Sequence, residues 1–256
     1  MGQVLTICIG AICDGSPTHQ NEKVVVVLDR MITAGYPPIE FEHDIPKMVK
    51  LTSCCVCLCA GSALAEVDLL RRVKANISDR TAPNALTVVN AVKTEYINEK
   101  KTKAEEDFLL HKDLTLRELY HGESPIPTAL LASLDGKIDA ITINLEMLVC
   151  GVDELGAHIY QIADERFRGV KLGSPGLVHC WDSMGYHAIG SGELHAVSTF
   201  ISHGYTSNFS LGKAIPIAFE AKKVAEKAPG VGKLKTDVAI ITKGNIICLN
   251  TEHVNK

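Results

Sequence analysis

The chain contains no apolar run approaching the roughly 20 residues needed to cross a bilayer. It has no basic excess either. Twenty-six Lys and Arg stand against 30 Asp and Glu, a net charge of −4, which removes the electrostatic footprint of a nucleic-acid or anionic-membrane binder. Residues 1–13 carry no basic segment, and the polar stretch Cys13 to Lys23 follows, so the start does not read as a secretory signal. P-loop, dinucleotide-binding glycine motif, HExxH and EF-hand are all missing, and no cofactor is expected. The opening Met1-Gly2-Gln3-Val4-Leu5-Thr6 does fit the N-myristoylation pattern, which is short and often matched by chance.

Cysteine is plentiful, with nine residues, but it is not spaced for a metal. Cys54, Cys55, Cys57 and Cys59 fall in one short run without a CxxC pair or a nearby histidine. On a strand, Cys55, Cys57 and Cys59 share one face, with Val56 and Leu58 opposite. They read as small apolar side chains of a buried strand. Many scattered thiols suit a reducing compartment and point to the cytoplasm, where the sequons at Asn76 and Asn208 carry no meaning. Trp181, the single tryptophan, reads as a core or edge aromatic, and His187, His195 and His203 as ordinary residues.

Hydrophobicity of 46% against 22% charged residues is ordinary for a globular chain of 256 residues. Residues 4–12 and 23–30 are apolar and β-branched, and a polar loop joins them like a hairpin of buried strands. A loop with Pro37 and Pro38 leads to a second hairpin, 48–51 with 56–60. Helical spacing follows at 64–73 and at 84–97, the latter continuing through a charged stretch that reads as a solvated helix face. Strands are expected at 141–149, 158–162 and 169–172, with Gly151 to Glu154 as a turn. Tyr186–Ile189 leads through Gly190-Ser191-Gly192 to a helix at 193–201. A longer helix at 211–227 has Ser210 as its candidate N-cap and ends at Pro229-Gly230. Strands at 237–242 and 246–249 close the chain. Strand runs alternating with helix pairs predict one α+β domain over 1–256. Its expected form is a four-layer αββα sandwich, two stacked and mainly antiparallel sheets with helices outside each.

Several stretches in order carry a resemblance. They are Thr6–Gly10, Leu28–Thr33, Pro46–Leu51, Ala60-Gly61-Ser62, Gly151-Val152-Asp153 leading into 157–162, Ile189–Gly192 and Asp237–Ile241. Together they resemble proteasome β-subunits and their bacterial proteasome-like relatives, which are N-terminal-nucleophile (Ntn) hydrolases. The similarity covers most of the chain and is weakest at 98–140.

The chemistry such a site needs follows from the residue types. A free N-terminal threonine supplies a hydroxyl nucleophile and, in its own α-amine, a base of pKa about 7.7–8.0. A neighbouring lysine lowers both pKa values, a carboxylate holds the lysine, and a backbone N–H meets the developing oxyanion. The resemblance implies Thr6 as nucleophile and base, Asp29 and Lys47 as the carboxylate and lysine, Gly61 as oxyanion donor and Ser191 near the amine. The family's second aspartate and serine have no clear match, since residues 226–232 read EKAPGVG. Met1 to Leu5 precede Thr6, and a peptide-bonded nitrogen is not a base. Activity therefore requires self-cleavage, trimming by another protease, or a start at residue 5.

The expected partners are a peptide or small amide substrate and further copies of the chain in a ring or other homo-oligomer, with no nucleic acid and no membrane. The alternatives are an inactive structural subunit and an Ntn amidohydrolase for small amides. Cys8 and Cys13 are lesser candidates for the nucleophile. The N-terminal helix that distinguishes proteasome α-subunits is absent.

Overall fold

Four valines in succession, Val24 to Val27, cannot alternate between a wet and a dry face, so their strand is dry on both sides. In the computed structural model this strand is β2 (Lys23–Asp29), paired antiparallel with β1 (Cys8–Cys13). The structure describes residues 6–16, 18–34, 39–43, 47–61, 63–78, 84–121, 127–164 and 178–249. Val24, Val26 and Leu28 enter one apolar cluster, and Val25 and Val27 enter another on the opposite face.

The remaining elements in chain order are β3 (Met31–Ala34), β4 (Ile39–Glu42), β5 (Met48–Lys50), β6 (Cys55–Gly61), α1 (Ala63–Ser78) and α2 (Ala85–Ala104). Then come α3 (Leu116–His121), α4 (Thr128–Asp139), β7 (Leu145–Asp153), β8 (Gly156–Ile162), β9 (Val178–Cys180), β10 (Tyr186–Ile189), α5 (Glu193–Ser202), α6 (Leu211–Ala225), β11 (Thr236–Thr242) and β12 (Asn245–Leu249). Two five-stranded sheets form, in the orders β10-β1-β2-β11-β12 and β5-β6-β7-β8-β9, with β3 and β4 as a separate hairpin. Among the described residues every pairing is antiparallel.

The core clusters define the layers. Side chains of β1, β2 and β11 meet those of β6, β7 and β8 in a cluster between the sheets. The other face of the first sheet packs on α5 and α6, through Phe200, Ala214, Ala218 and Ala221. The other face of the second sheet packs on α1 and α2, through Leu69, Val73, Val88, Val92 and Tyr96. Cys55, Cys57 and Cys59 do share one face, buried under α1 and α2, while Val56, Leu58 and Ala60 point to the other sheet. All nine cysteines are free thiols.

Several expectations need correction. Among the described residues the first helical region holds four α-helices, not two. Leu119 is the only buried residue of α3, and Leu134 is the only buried apolar side chain described in α4, so neither displays a readable period. The loop expected after β2 contains the β3–β4 hairpin. Gly151 is not a turn residue: β7 runs through to Asp153, and the turn falls at Glu154-Leu155. A Cβ on Gly151 would lie 2.4 Å from the Cys55 sulfur, so this glycine marks close strand neighbours rather than a reversal. Ser210 is the N-cap residue of α6 but makes no side-chain capping bond. Helix α2 does continue as expected, through a π-helical turn at Glu105–Leu109 and a short 3-10 turn at Leu110–Lys112. The expected strand at 169–172, together with Pro37, Pro38, Pro46 and Ser62, lies outside the described residues. Among the described residues no helix is long and apolar enough to cross a membrane.

Candidate active site

Thr6 lies two residues before β1, and Asp29 ends β2. The Asp29 amide donates to the Ile7 carbonyl at 3.3 Å, extending the β1–β2 ladder by one step and fixing Asp29 beside Thr6. Lys47 immediately precedes β5, the edge strand of the other sheet. The three residues therefore meet at the seam between the two sheets.

Their bonding is tight. The Thr6 hydroxyl donates to Asp29 Oδ1. Lys47 Nζ donates to Thr6 Oγ1 at 2.7 Å and to Asp29 Oδ1 at 3.1 Å. The Asp29 side chain is 0% exposed and that of Lys47 15% exposed. A carboxylate so buried must have its lone pairs filled. Lys47 and Thr6 fill Oδ1, and the Gly232 amide donates to Oδ2 at 2.7 Å. An ammonium donating to a hydroxyl oxygen away from bulk water favours its alkoxide form, which is what activates an alcohol as a nucleophile.

Ser191 lies next to Thr6 but not at its hydroxyl. Its Oγ is 3.4 Å from the Thr6 carbonyl oxygen and 2.8 Å from that of Pro229. A hydroxyl has one proton, and the shorter contact takes it. The Ser191 hydroxyl thus ties the turn after β10 to the loop after α6. Gly192 N–H approaches the same Thr6 carbonyl at 3.4 Å. Gly190 has φ of +97°, and a Cβ there would lie 2.4 Å from the Thr6 carbonyl oxygen. Only glycine satisfies both constraints. Gly61 is exposed at the end of β6 with φ of +131°. It stands two residues past Cys59, whose carbonyl accepts from the Cys8 thiol at 3.5 Å.

Burial pushes the Cys8 thiol far above its ordinary range, although Lys47 pulls it down. Cys8 is therefore protonated at neutral pH. Burial likewise pushes Cys13 up to about 12. Glu66, in the first turn of α1, is pushed up to about 7 by burial, against the pull of Lys47. Its charge accordingly changes near neutrality within the field of the site lysine.

The sequence reading missed three contributors. Gly232 and Pro229 act through the backbone, and a peptide N–H or carbonyl leaves no mark in residue type. Glu66 on α1 resembles any first-turn glutamate until its burial is known. The loop at 226–232, where the resemblance gave no clear aspartate or serine, reaches Asp29 and Ser191 through main-chain atoms. Trp181 is half-buried at the rim of the inter-sheet cluster, stacked on His187 with centroids 3.9 Å apart. Among the described residues no group of three or more His, Cys, Asp or Glu is placed to hold a metal ion.

No protein-family model matches the chain, and no curated protein matches it.

Proposed function

We propose that the chain is a threonine-type Ntn hydrolase of the proteasome β-subunit kind, cleaving peptide or amide bonds. The observation that carries this reading is the contact of Lys47 Nζ with Thr6 Oγ1 at 2.7 Å, with the buried carboxylate of Asp29 holding both. The two antiparallel sheets with helices outside each are consistent with an Ntn fold. Once the Thr6 α-amine is free, it takes the hydroxyl proton as Oγ1 attacks the substrate carbonyl. Lys47 stabilises the developing alkoxide, and Asp29 keeps Lys47 in place. The Gly61 N–H is the proposed oxyanion donor. Acyl transfer to Thr6 expels the amine product, and water then releases the acid. Self-association into a ring or other homo-oligomer belongs to the same reading.

A second reading, an inactive subunit of the same fold, gains support from the loop at 226–232. That loop meets Asp29 and Ser191 with main-chain atoms and puts no aspartate or serine side chain beside them. A peptide epoxyketone separates the two. Intact mass should show Thr6 as the mature terminus and one probe bonded to it, while Thr6→Ala folds normally and takes up none. A folded wild-type protein that neither exposes Thr6 nor bonds the probe would refute the hydrolase.

A further inference from the structure

We infer that Lys222 is a positioning residue for this site, acting on Thr6 through Gly232 and Asp29. The inference rests on the hydrolase reading above and adds to it a second lysine that touches neither Thr6 nor substrate.

The position of Lys222 is anomalous for its residue type. It lies on the face of α6 otherwise formed by Ala214, Ile217, Ala218, Ala221 and Ala225. It is the only lysine fully buried among the described residues. Moving an ammonium out of water is unfavourable, and an apolar residue would fill this face without that cost. The ammonium has two partners: Glu226 Oε1, one helical turn on, at 2.5 Å, and the Gly232 carbonyl at 2.8 Å. The carbonyl matters because the same residue donates its amide to Asp29 Oδ2 at 2.7 Å.

Gly232 is thus gripped at both main-chain polar atoms. A Cβ there would lie 2.8 Å from Glu42 Oε1 and 3.3 Å from Asp29 Cβ, so the backbone itself fills the gap between the two carboxylates. Glu42 clamps the next segment by accepting from the Leu234 and Lys235 amides at 2.8 and 2.7 Å. Asp29 is therefore held from two sides. Lys47 approaches Oδ1 from the second sheet, and Gly232, backed by Lys222, approaches Oδ2 from under α6. Fixing Oδ2 prevents the carboxylate from rotating and keeps Oδ1 aimed at Thr6 and Lys47. A fixed donor set of this kind governs rate more than substrate affinity.

Lys223 of α6, Glu226 at the end of that helix and Asp29 of β2 are the charges facing the Lys222 ammonium. Burial pulls its pKa down and Glu226 raises it. Removing the glutamate charge therefore makes the ammonium lose its proton at lower pH. A neutral amine holds the Gly232 carbonyl with roughly half the strength of the charged one.

The test measures covalent bonding of a peptide epoxyketone to Thr6. Lys222→Met is expected to lower the limiting bonding rate about tenfold with the half-saturating probe concentration unchanged, and to raise hydrogen exchange at the Gly232 amide. Should that variant not fold, Glu226→Gln carries the test. Its bonding rate should fall off at lower pH on the alkaline side than that of the wild type. A merely structural lysine would change melting temperature and leave both the limiting rate and the pH profile in place, and that result overturns the inference. A wild-type protein that never bonds the probe overturns the hydrolase reading, and this inference with it. Wild-type bonding with normal rate and pH profile in the variants overturns the inference alone.

Discussion

Replacing Lys47 with methionine tests the central ion pair without reference to any activity. The substitution keeps the length of the side chain and removes its charge. Asp29, at 0% exposure, would keep the Thr6 hydroxyl and the Gly232 amide but lose the ammonium that pairs with it at 3.1 Å. Stripping one member from a buried pair costs about 3–5 kcal/mol. The lower end applies here, because Lys47 is itself 15% exposed and two donors remain on the carboxylate. At about 3 kcal/mol, a domain of this size should melt roughly 6–12 °C lower. The informative arm is the double variant Lys47→Met/Asp29→Asn. An asparagine can accept from Gly232 with its oxygen and donate to Thr6 with its nitrogen, leaving no buried charge unpaired. It should recover at least half of the loss. Thermal and urea unfolding of the wild type, both single variants and the double variant at one pH provide the cycle. A Lys47→Met melting temperature within about 1 °C of wild type would refute the reasoning. So would a double variant no more stable than the single.

Two further predictions concern pH. The Glu66 carboxyl is raised from 4.5 to about 7 by burial, so its protonated form favours folding below about pH 4.5 and that contribution is lost as pH rises through about 7. Glu66→Gln should therefore gain stability relative to wild type between pH 5 and 8, and a constant difference across that range would count against the burial argument. At His158, burial opposes the charge, but the carboxylates of Asp182 at 2.7 Å and Asp153 at 3.3 Å override it and raise the imidazole pKa above 6.5. Its stabilising contribution is present below about pH 6.5 and lost as pH rises through the folded value. His158→Gln should melt lower than wild type at pH 5.5, with the gap narrowing by pH 8.5. A gap unchanged over that span would show that the two carboxylates do not hold the charged ring.

The layered architecture was readable because its strands are long and apolar. The valine run of β2 and the alternating cysteines of β6 each announce a strand, and the apolar spacing at Ala85, Val88, Val92 and Tyr96 announces a helix. Short elements escaped. Helices α3 and α4 have too few buried residues to set up a period, and the β3–β4 hairpin carries Phe41 and Ile39 exposed, against the expected pattern. The Thr6, Asp29 and Lys47 set was legible through ordered similarity, since nothing in the spacing of 23 and 18 residues says that these side chains touch. Lys222 was invisible for a different reason. In sequence it is one of two adjacent lysines near a helix end, where solvent exposure is the default. Only the fold turns Lys222 inward and leaves Lys223 39% exposed.

Thr6 and Asp29 hang from one sheet, and the Lys47 ammonium that bonds to both hangs from the edge of the other. A slip of a single residue along a strand, about 3.3 Å, would already carry the ammonium out of reach. No half-formed chain that has built only one sheet can bring these three side chains together. On the proposed hydrolase reading, the threonine stays unreactive until the two halves have closed on each other in register.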